Sequence, residues 1–274
     1  RELADQAMQA APHRELTFCP GCPHRASYWL LNEALTMDNR QGFVCGDIGC
    51  YTMGAAECGF KTVKLSMAMG SGLGMASGFG KLTQFGFDQP AVAICGDSTF
   101  FHAVMPALVN AIHNQSDVIL AVVDNAGTAM TGFQPHPGTP EGAGKQRLPA
   151  LSIPDICRAM GARVEIADPF EMDQTRSVLQ DLMYDAHGVR VLILRQACAL
   201  SPAKKAQKGF AMSVDPDICL AEGCGCNRLC TRVFKCPGLK VNLETGKASI
   251  DEVICVGCGV CASICPSGAI RAEA

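Results

Sequence analysis

The sequence has no excess of positive charge: 23 lysines and arginines stand against 26 aspartates and glutamates, a formal net charge of −3. A polyanion such as nucleic acid is therefore not an expected partner. No uninterrupted apolar run approaches the roughly 18 residues that span a bilayer, and no segment with a basic start and an apolar centre opens the chain. These absences exclude a membrane-embedded protein and point to the cytoplasm. An initiating methionine is also missing. The first residue is Arg1, so the chain is expected to be part of a longer polypeptide. Cysteine, by contrast, is abundant. Seventeen cysteines in a reducing compartment imply metal binding or catalysis rather than disulfides.

The clearest pattern among them is CVGCGVCASICP, which sets Cys255, Cys258, Cys261 and Cys265 at the C-x-x-C-x-x-C-x-x-x-C-Pro spacing of a bacterial [4Fe–4S] motif, closed by Pro266. Three closely spaced thiolates curl around one cubane, and the fourth reaches a second cluster. A second cysteine run is therefore expected. The stretch CLAEGCGCNRLCTRVFKCP provides it, with Cys219, Cys224, Cys226, Cys230 and Cys236, the last again followed by a proline. By the same logic Cys236 joins Cys255, Cys258 and Cys261, while Cys265 completes the site of the first run. That run is irregular, with more thiols than roles. Cys219, Cys224 and Cys230 are slightly preferred, because Cys224 sits in a Gly-Cys-Gly turn like Cys258. The alternative, a zinc or disulfide scaffold, fits poorly: zinc pairs cysteines two and two across a gap.

With 274 residues, 48% of them hydrophobic, and 28 glycines, the chain can bury one α/β core and carry a small appendage. Ala91–Cys95 and Val118–Asn125 are apolar runs separated by a helix-like segment near residues 101–114, the signature of a βαβ unit in a parallel sheet buried on both faces. Strands near 43–45 and 189–194, and helices near 26–36, 70–83 and 170–186, extend the pattern. The expected fold is a doubly wound, mostly parallel α/β sheet over residues 1–200, a linker over 201–213, and a small C-terminal α+β ferredoxin-like domain over 214–274. In the linker, Lys204, Lys205 and Lys208 read as a solvated stretch or as a surface for a partner. Residues 128–151 hold four prolines and no periodicity; they form a long loop, a class that usually carries function.

Two strand ends carry oxygen ligands: Gly96-Asp97-Ser98 after one strand and Asp124-Asn125 after the next. In an open parallel sheet ligands bind beyond the carboxyl ends of strands. A carboxylate, an amide oxygen and a backbone carbonyl there suit magnesium on a diphosphate; the alternative is a pair of turn caps.

Four strings make the pattern specific. FCPGCPHR (Phe18–Arg25), CGDIGCY (Cys45–Tyr51), GDSTFFHAVMPALVNAI (Gly96–Ile112) and NAGTAMTGFQPHPGT (Asn125–Thr139) together resemble the large subunit of indolepyruvate ferredoxin oxidoreductase, over a stretch running from Phe18 to the C-terminal cysteines. Gly96-Asp97 to Asn125 is similar to the thiamin diphosphate motif that begins Gly-Asp-Gly and ends in Asn, with Ser98 departing from its third glycine. The resemblance implies oxidative decarboxylation of an arylpyruvate with coenzyme A, electrons passing through two [4Fe–4S] clusters to ferredoxin. It also implies magnesium ligands in Asp97, Asn125 and the Gly127 carbonyl. The motif that meets the cofactor then includes Cys19, Cys22 and His24, the last near the diphosphate; Asp47 and Cys50 line the thiazolium end. Gly70, Gly96, Ser98, Thr128, Met130, Thr131 and Gln134 complete the cofactor contacts, and His136 shares their loop.

Cys45, Cys58, Cys95, Cys157 and Cys198 are expected as ordinary buried thiols, His102 and His113 as structural. One element is lacking. Thiamin diphosphate enzymes use a glutamate on the aminopyrimidine, and Glu33 and Glu57 lie in the wrong context. The resemblance assigns that residue to a pyrimidine-binding domain or another subunit, in a hetero-oligomer with a small gamma-type subunit. The rival readings are the same chemistry on phenylglyoxylate or an aliphatic 2-oxo acid, and a non-catalytic electron carrier.

Overall fold

Alternate residues of each apolar run face opposite ways, and the two sets pack into two separate cores on the two faces of one sheet. Val92, Ile94, Ile119, Ala121, Val123, Leu192 and Leu194 enter one core; Ala93, Cys95, Leu120, Val122, Val191 and Ile193 enter the other. The computed structural model describes residues 1–11, 15–184, 187–201, 204 and 209–273.

The chain begins with helix α1 (Glu2–Ala10), none of whose residues is buried, and continues into α2 (Pro23–Asp38). Strands β1 (Phe43–Gly46) and β2 (Val63–Ser66) and helix α3 (Ser71–Lys81) precede β3 (Ala91–Gly96). The single turn α4 (Asp97–Thr99) runs through a π-helical stretch, Phe100–Val104, into α5 (Met105–His113). Then follow β4 (Val118–Asp124), α6 (Ile153–Met160), β5 (Arg163–Ala167), α7 (Met172–Tyr184) and β6 (Val189–Arg195). The six strands pair in parallel in the order β2-β1-β3-β4-β6-β5. Helices α2 and α7 cover one face; α3, α5 and α6 cover the other.

The doubly wound parallel sheet anticipated from the apolar runs is present. Its two edge strands are the elements the sequence hides. β2 exposes three of its four residues and β5 buries only one of its five, so neither shows the continuous apolar run of a central strand. The helix expected to reach Ala186 is described as far as Tyr184, and residues 185 and 186 lie outside the described residues. The loop of residues 128–151 holds one 3-10 turn (Ala129–Thr131) and two isolated bridges, Thr128 to Gln134 and Glu141 to Arg147.

The C-terminal part is built around two small antiparallel pairs. β7 (Met212–Val214) pairs with β10 (Ile270–Ala272), and β8 (Leu239–Val241) with β9 (Ala248–Ile250); helix α8 (Val260–Ile264) lies between them in sequence. Lys205 and Lys208 of the expected linker lie outside the described residues, and β7 begins at Met212. Met212, Phe234, Leu239, Val260 and Ile264 share the apolar core that also holds Phe18 and Tyr28.

Candidate cofactor site and thiol groups

The carboxyl ends of β1, β3, β4 and β6 converge on one spot, as parallel strands in register must. Asp97, 3% exposed, is locked in place: its Oδ1 accepts from Ser98 N at 2.8 Å and its Oδ2 from Gly127 N at 3.0 Å. Ala126 adopts a left-handed φ of 65°, a strained conformation for a non-glycine residue that turns Gly127 toward Asp97. Asn125 lies beside them. Its amide nitrogen is 3.4 Å from His24 Nε2, and its backbone carbonyl accepts from Cys198 N at 3.1 Å. Asn125 Oδ1 is left buried with no partner, and so is His24 Nδ1. Burial holds the His24 pKa down at about 4 against the opposing pull of Asp97. The ring is therefore neutral, accepting at Nε2 and carrying its proton on Nδ1.

His136 Nε2 is 3.2 Å from Asp97 Oδ2, while its Nδ1 accepts from Gly138 N at 3.1 Å and its ring stacks on Phe101. Thr131 and Gln134 do not converge on this spot. They are exposed and bonded to each other, Thr131 Oγ1 to Gln134 Oε1 at 2.5 Å and Gln134 Nε2 to the Thr131 carbonyl at 2.6 Å. Met130 is 55% exposed.

At the end of β1, Asp47 is fully buried. Tyr51 donates its hydroxyl to Asp47 Oδ1 and lies 3.0 Å from Thr99 Oγ1, while Asp47 Oδ2 has no partner. Burial pushes the Asp47 pKa up to about 6, partly offset by the Tyr51 hydrogen bond. Tyr51 escaped the sequence reading; the only signal was its place at the end of CGDIGCY. Gly70 has φ 82°, and a Cβ there would meet Ala103 Cβ at 2.4 Å, so α3 can start close to the site only from a glycine. The two glutamates are engaged elsewhere: Glu33 pairs with Arg176 at 3.1 Å between α2 and α7, and Glu57 pairs with Lys61. His102 and His113 are exposed.

The cysteines fall into three groups. Cys236, Cys255, Cys258 and Cys261 line one cavity, together with Pro20 and Gly21. Burial pushes Cys258 up to about 11 and Cys261 to about 12, and the neighbouring thiols add to both. In the second group Cys226 and Cys230 both face the charge of Cys265. Cys224 Sγ lies 2.9 Å from Cys226 Sγ, with Cys219 near it. Cys226, the thiol left out of the slight preference, thus senses Cys265 as Cys230 does.

The third group is one that sequence distance conceals. Cys198, expected as an ordinary buried thiol, is half-buried and senses Cys19. Cys22 senses Cys19 and Cys198, and burial first of all pushes it up to about 12. Cys50 is raised by burial and then by Cys198 and Cys19. Four thiols from the α2 entry, the β1 end and the β6 end thus share one locality. Cys45, Cys58, Cys95 and Cys157 are buried.

Among the described residues no three histidine, cysteine or carboxylate side chains close around a single metal ion.

Residues 47–194 match the model of the thiamine pyrophosphate enzymes' C-terminal TPP-binding domain. The chain belongs to this family of thiamine pyrophosphate enzymes. Residues 248–271, with Cys255, Cys258, Cys261 and Cys265, match the 4Fe-4S binding domain. Among curated relatives, "Indolepyruvate oxidoreductase subunit IorA" of Methanothermobacter marburgensis is 38% identical over 269 residues, covering 96% of this chain and 41% of the relative. The protein of the same name from Pyrococcus horikoshii is 36% identical over 288 residues, covering 98% and 42%. The chain therefore spans about two fifths of the length of these relatives. Among solved structures, 2-oxoglutarate:ferredoxin oxidoreductase from Magnetococcus marinus, with 2-oxoglutarate, coenzyme A and succinyl-CoA bound, aligns with TM-score 0.54 and 17% identity over 70% of this chain and 67% of that one. That likeness concerns the fold.

The strand-end residues fit the thiamine pyrophosphate expected of this family. The buried, unpartnered Asn125 Oδ1 beside the Asp97 carboxylate is a donor set for a hard cation. The unpartnered His24 Nδ1–H is a donor for an anion.

Proposed function

We propose that this chain is the cofactor-binding and cluster-bearing portion of an indolepyruvate-type 2-oxo acid:ferredoxin oxidoreductase. In the proposed reaction an arylpyruvate, coenzyme A and two oxidised ferredoxins give arylacetyl-coenzyme A, carbon dioxide, a proton and two reduced ferredoxins. The observation that carries the reading is the unpartnered Asn125 Oδ1 next to Asp97, in a chain whose β6 end also contributes Cys198 to a thiol group. A cation–diphosphate site and an electron path would then be built on adjacent strand ends.

Thiamin diphosphate, when bound, supplies the nucleophilic carbon and the electron sink for decarboxylation. Asp97, Asn125 Oδ1 and the Gly127 carbonyl would hold magnesium on its diphosphate, and His24 Nδ1–H would donate to a diphosphate oxygen. Gly70, Gly96 and Ser98 would let the backbone approach, and Thr128 opens the loop that carries Thr131 and Gln134. Asp47, held by Tyr51, and Cys50 border the reacting end. Oxidation releases two electrons, and iron–sulfur clusters accept them singly. Cys19, Cys22, Cys50 and Cys198 would ligate the cluster nearest the cofactor. Cys236, Cys255, Cys258 and Cys261 would ligate a second, and Cys265 with three of Cys219, Cys224, Cys226 and Cys230 a third.

The relatives carry the word subunit in their names, which supports a hetero-oligomer. A pyrimidine-binding domain or subunit would supply the activating glutamate, with a gamma-type subunit and ferredoxin as further partners. No described helix is long and apolar enough to cross a membrane; a reducing cytoplasm suits the thiols. The test is viologen reduction by the assembled complex with indolepyruvate, phenylpyruvate, phenylglyoxylate and pyruvate compared side by side. Highest kcat/KM on indolepyruvate supports the substrate assignment, and preference for phenylglyoxylate or pyruvate overturns it. No coenzyme A-dependent turnover with any of the four overturns the reaction itself.

A further inference from the structure

Arg25 is among the largest fully buried side chains of the protein, 2% exposed, and among the described residues its guanidinium has no carboxylate partner. Its Nη1 donates to the Phe234 carbonyl at 2.7 Å, and its Nη2 donates to the Phe18 carbonyl at 2.6 Å and to Thr17 Oγ1 at 3.1 Å. The guanidinium carbon lies 5.7 Å from the ring centre of Phe18 and 5.6 Å from that of Phe234. Nε has no partner at all. A buried cation that only carbonyls, one hydroxyl and two rings accommodate costs several kcal/mol unless a negative charge lies near.

The acidic groups around it are thiols. Burial lowers the Arg25 pKa, and the groups that oppose this are Cys236, Cys22, Cys58 and Cys19, in that order. Two of these belong to the strand-end group and one to the ferredoxin-like group. The two groups adjoin each other: a Cβ at Gly21 would meet Val256 Cγ2 at 2.2 Å, so the Cys19–Cys22 turn presses on the loop between Cys255 and Cys258. Arg25 spans this seam, hydrogen-bonded to Phe18 beside Cys19 and to Phe234 two residues before Cys236.

We propose that Arg25 is a positioning and potential-setting residue for electron transfer: its fixed positive charge favours the reduced form of the cluster ligated by Cys236, Cys255, Cys258 and Cys261. The inference rests on the cluster assignment above. Reduction of a cluster adds one electron and one negative charge, and a buried cation alongside stabilises the added charge, which raises the potential. The two carbonyl bonds keep the charge on the seam, where it favours electrons leaving the strand-end group for the ferredoxin-like group.

The test uses the anaerobically purified chain, with iron content measured first and cluster potentials then read by dithionite titration followed by electron paramagnetic resonance. Wild-type protein without cluster iron would refute the cluster assignment itself, separately from the role of Arg25. Arg25→Met and Arg25→Gln remove the charge; Arg25→Lys retains it. One cluster is expected to become at least tenfold harder to reduce at fixed potential, a 59 mV drop in midpoint, in the neutral variants. Arg25→Lys should stay within a third of that drop from wild type, and a cluster lost through Cys265→Ala should leave the effect intact. Equal midpoints in lysine and neutral variants of full iron content would overturn the proposal. So would loss of iron from the lysine and glutamine variants alike, which would make Arg25 purely a structural tie.

Discussion

Asn125 Nδ2 lies 3.4 Å from His24 Nε2, and this one contact aims two atoms at once. It leaves Asn125 Oδ1 and His24 Nδ1 buried without partners, one an acceptor for a cation and the other a donor for an anion. An acceptor and a donor unsatisfied side by side would each cost about 1–3 kcal/mol if nothing filled the gap. A metal-bound diphosphate would satisfy both.

Removing the Asp97 carboxylate should therefore abolish cofactor binding. Asp97→Ala is expected to weaken magnesium–thiamin diphosphate affinity at least about 100-fold, about 3 kcal/mol, because a charged ligand is lost. Asn125→Ala should cost about tenfold. Isothermal titration with the cofactor measures both; an unchanged Kd for Asp97→Ala would remove the cofactor assignment.

Asp47 makes apo-protein stability depend on pH. Its carboxyl has a raised pKa of about 6 in the folded protein, chiefly through burial, against an ordinary value of 3.8. Between these values the folded state holds a proton that the unfolded chain has released, so stability falls as pH rises through this window, by at most about 3 kcal/mol. Asp47→Asn keeps an acceptor for Tyr51 and should flatten this slope. Urea unfolding at pH 4 and pH 7 would show it: a stability difference between variant and wild type that does not grow with pH counts against the buried-carboxyl account.

Iron content separates the thiol groups. The ferredoxin-like region alone predicts about eight irons, and the strand-end group raises this to about twelve. Cys258→Ala and Cys198→Ala should each lose about four irons while far-ultraviolet circular dichroism stays unchanged. A wild-type count near eight with no loss in Cys198→Ala would leave the strand-end thiols without a cluster.

Residues 1–274 alone should not decarboxylate a 2-oxo acid even when loaded with cofactor, magnesium and clusters. Activation of the aminopyrimidine needs a carboxyl group at hydrogen-bond distance, and Glu33 and Glu57 are tied to Arg176 and Lys61. Addition of the domain or subunit that carries the activating glutamate should restore viologen reduction. Turnover by the isolated chain would redirect attention to these two residues.

The sequence by itself determined the central strands, the acidic and amide residues at their ends and the ferredoxin spacing, because each is a local pattern. Val118–Val123 is apolar throughout since both faces of this stretch are buried, and the spacing of Cys255, Cys258 and Cys261 needs only short-range geometry to suit one cubane. The tertiary structure decided what depends on distant segments meeting. The edge strands β2 and β5 acquire their identity only by pairing with β1 and β6. Cys198 joins Cys19, Cys22 and Cys50 because parallel pairing of β6 with β4 carries it to the Asn125 carbonyl. Arg25 becomes a buried charge on a seam because Phe234, 209 residues later in the chain, turns its carbonyl toward it. No spacing rule encodes such contacts, since sheet order and domain packing, rather than neighbouring residues, bring those atoms together.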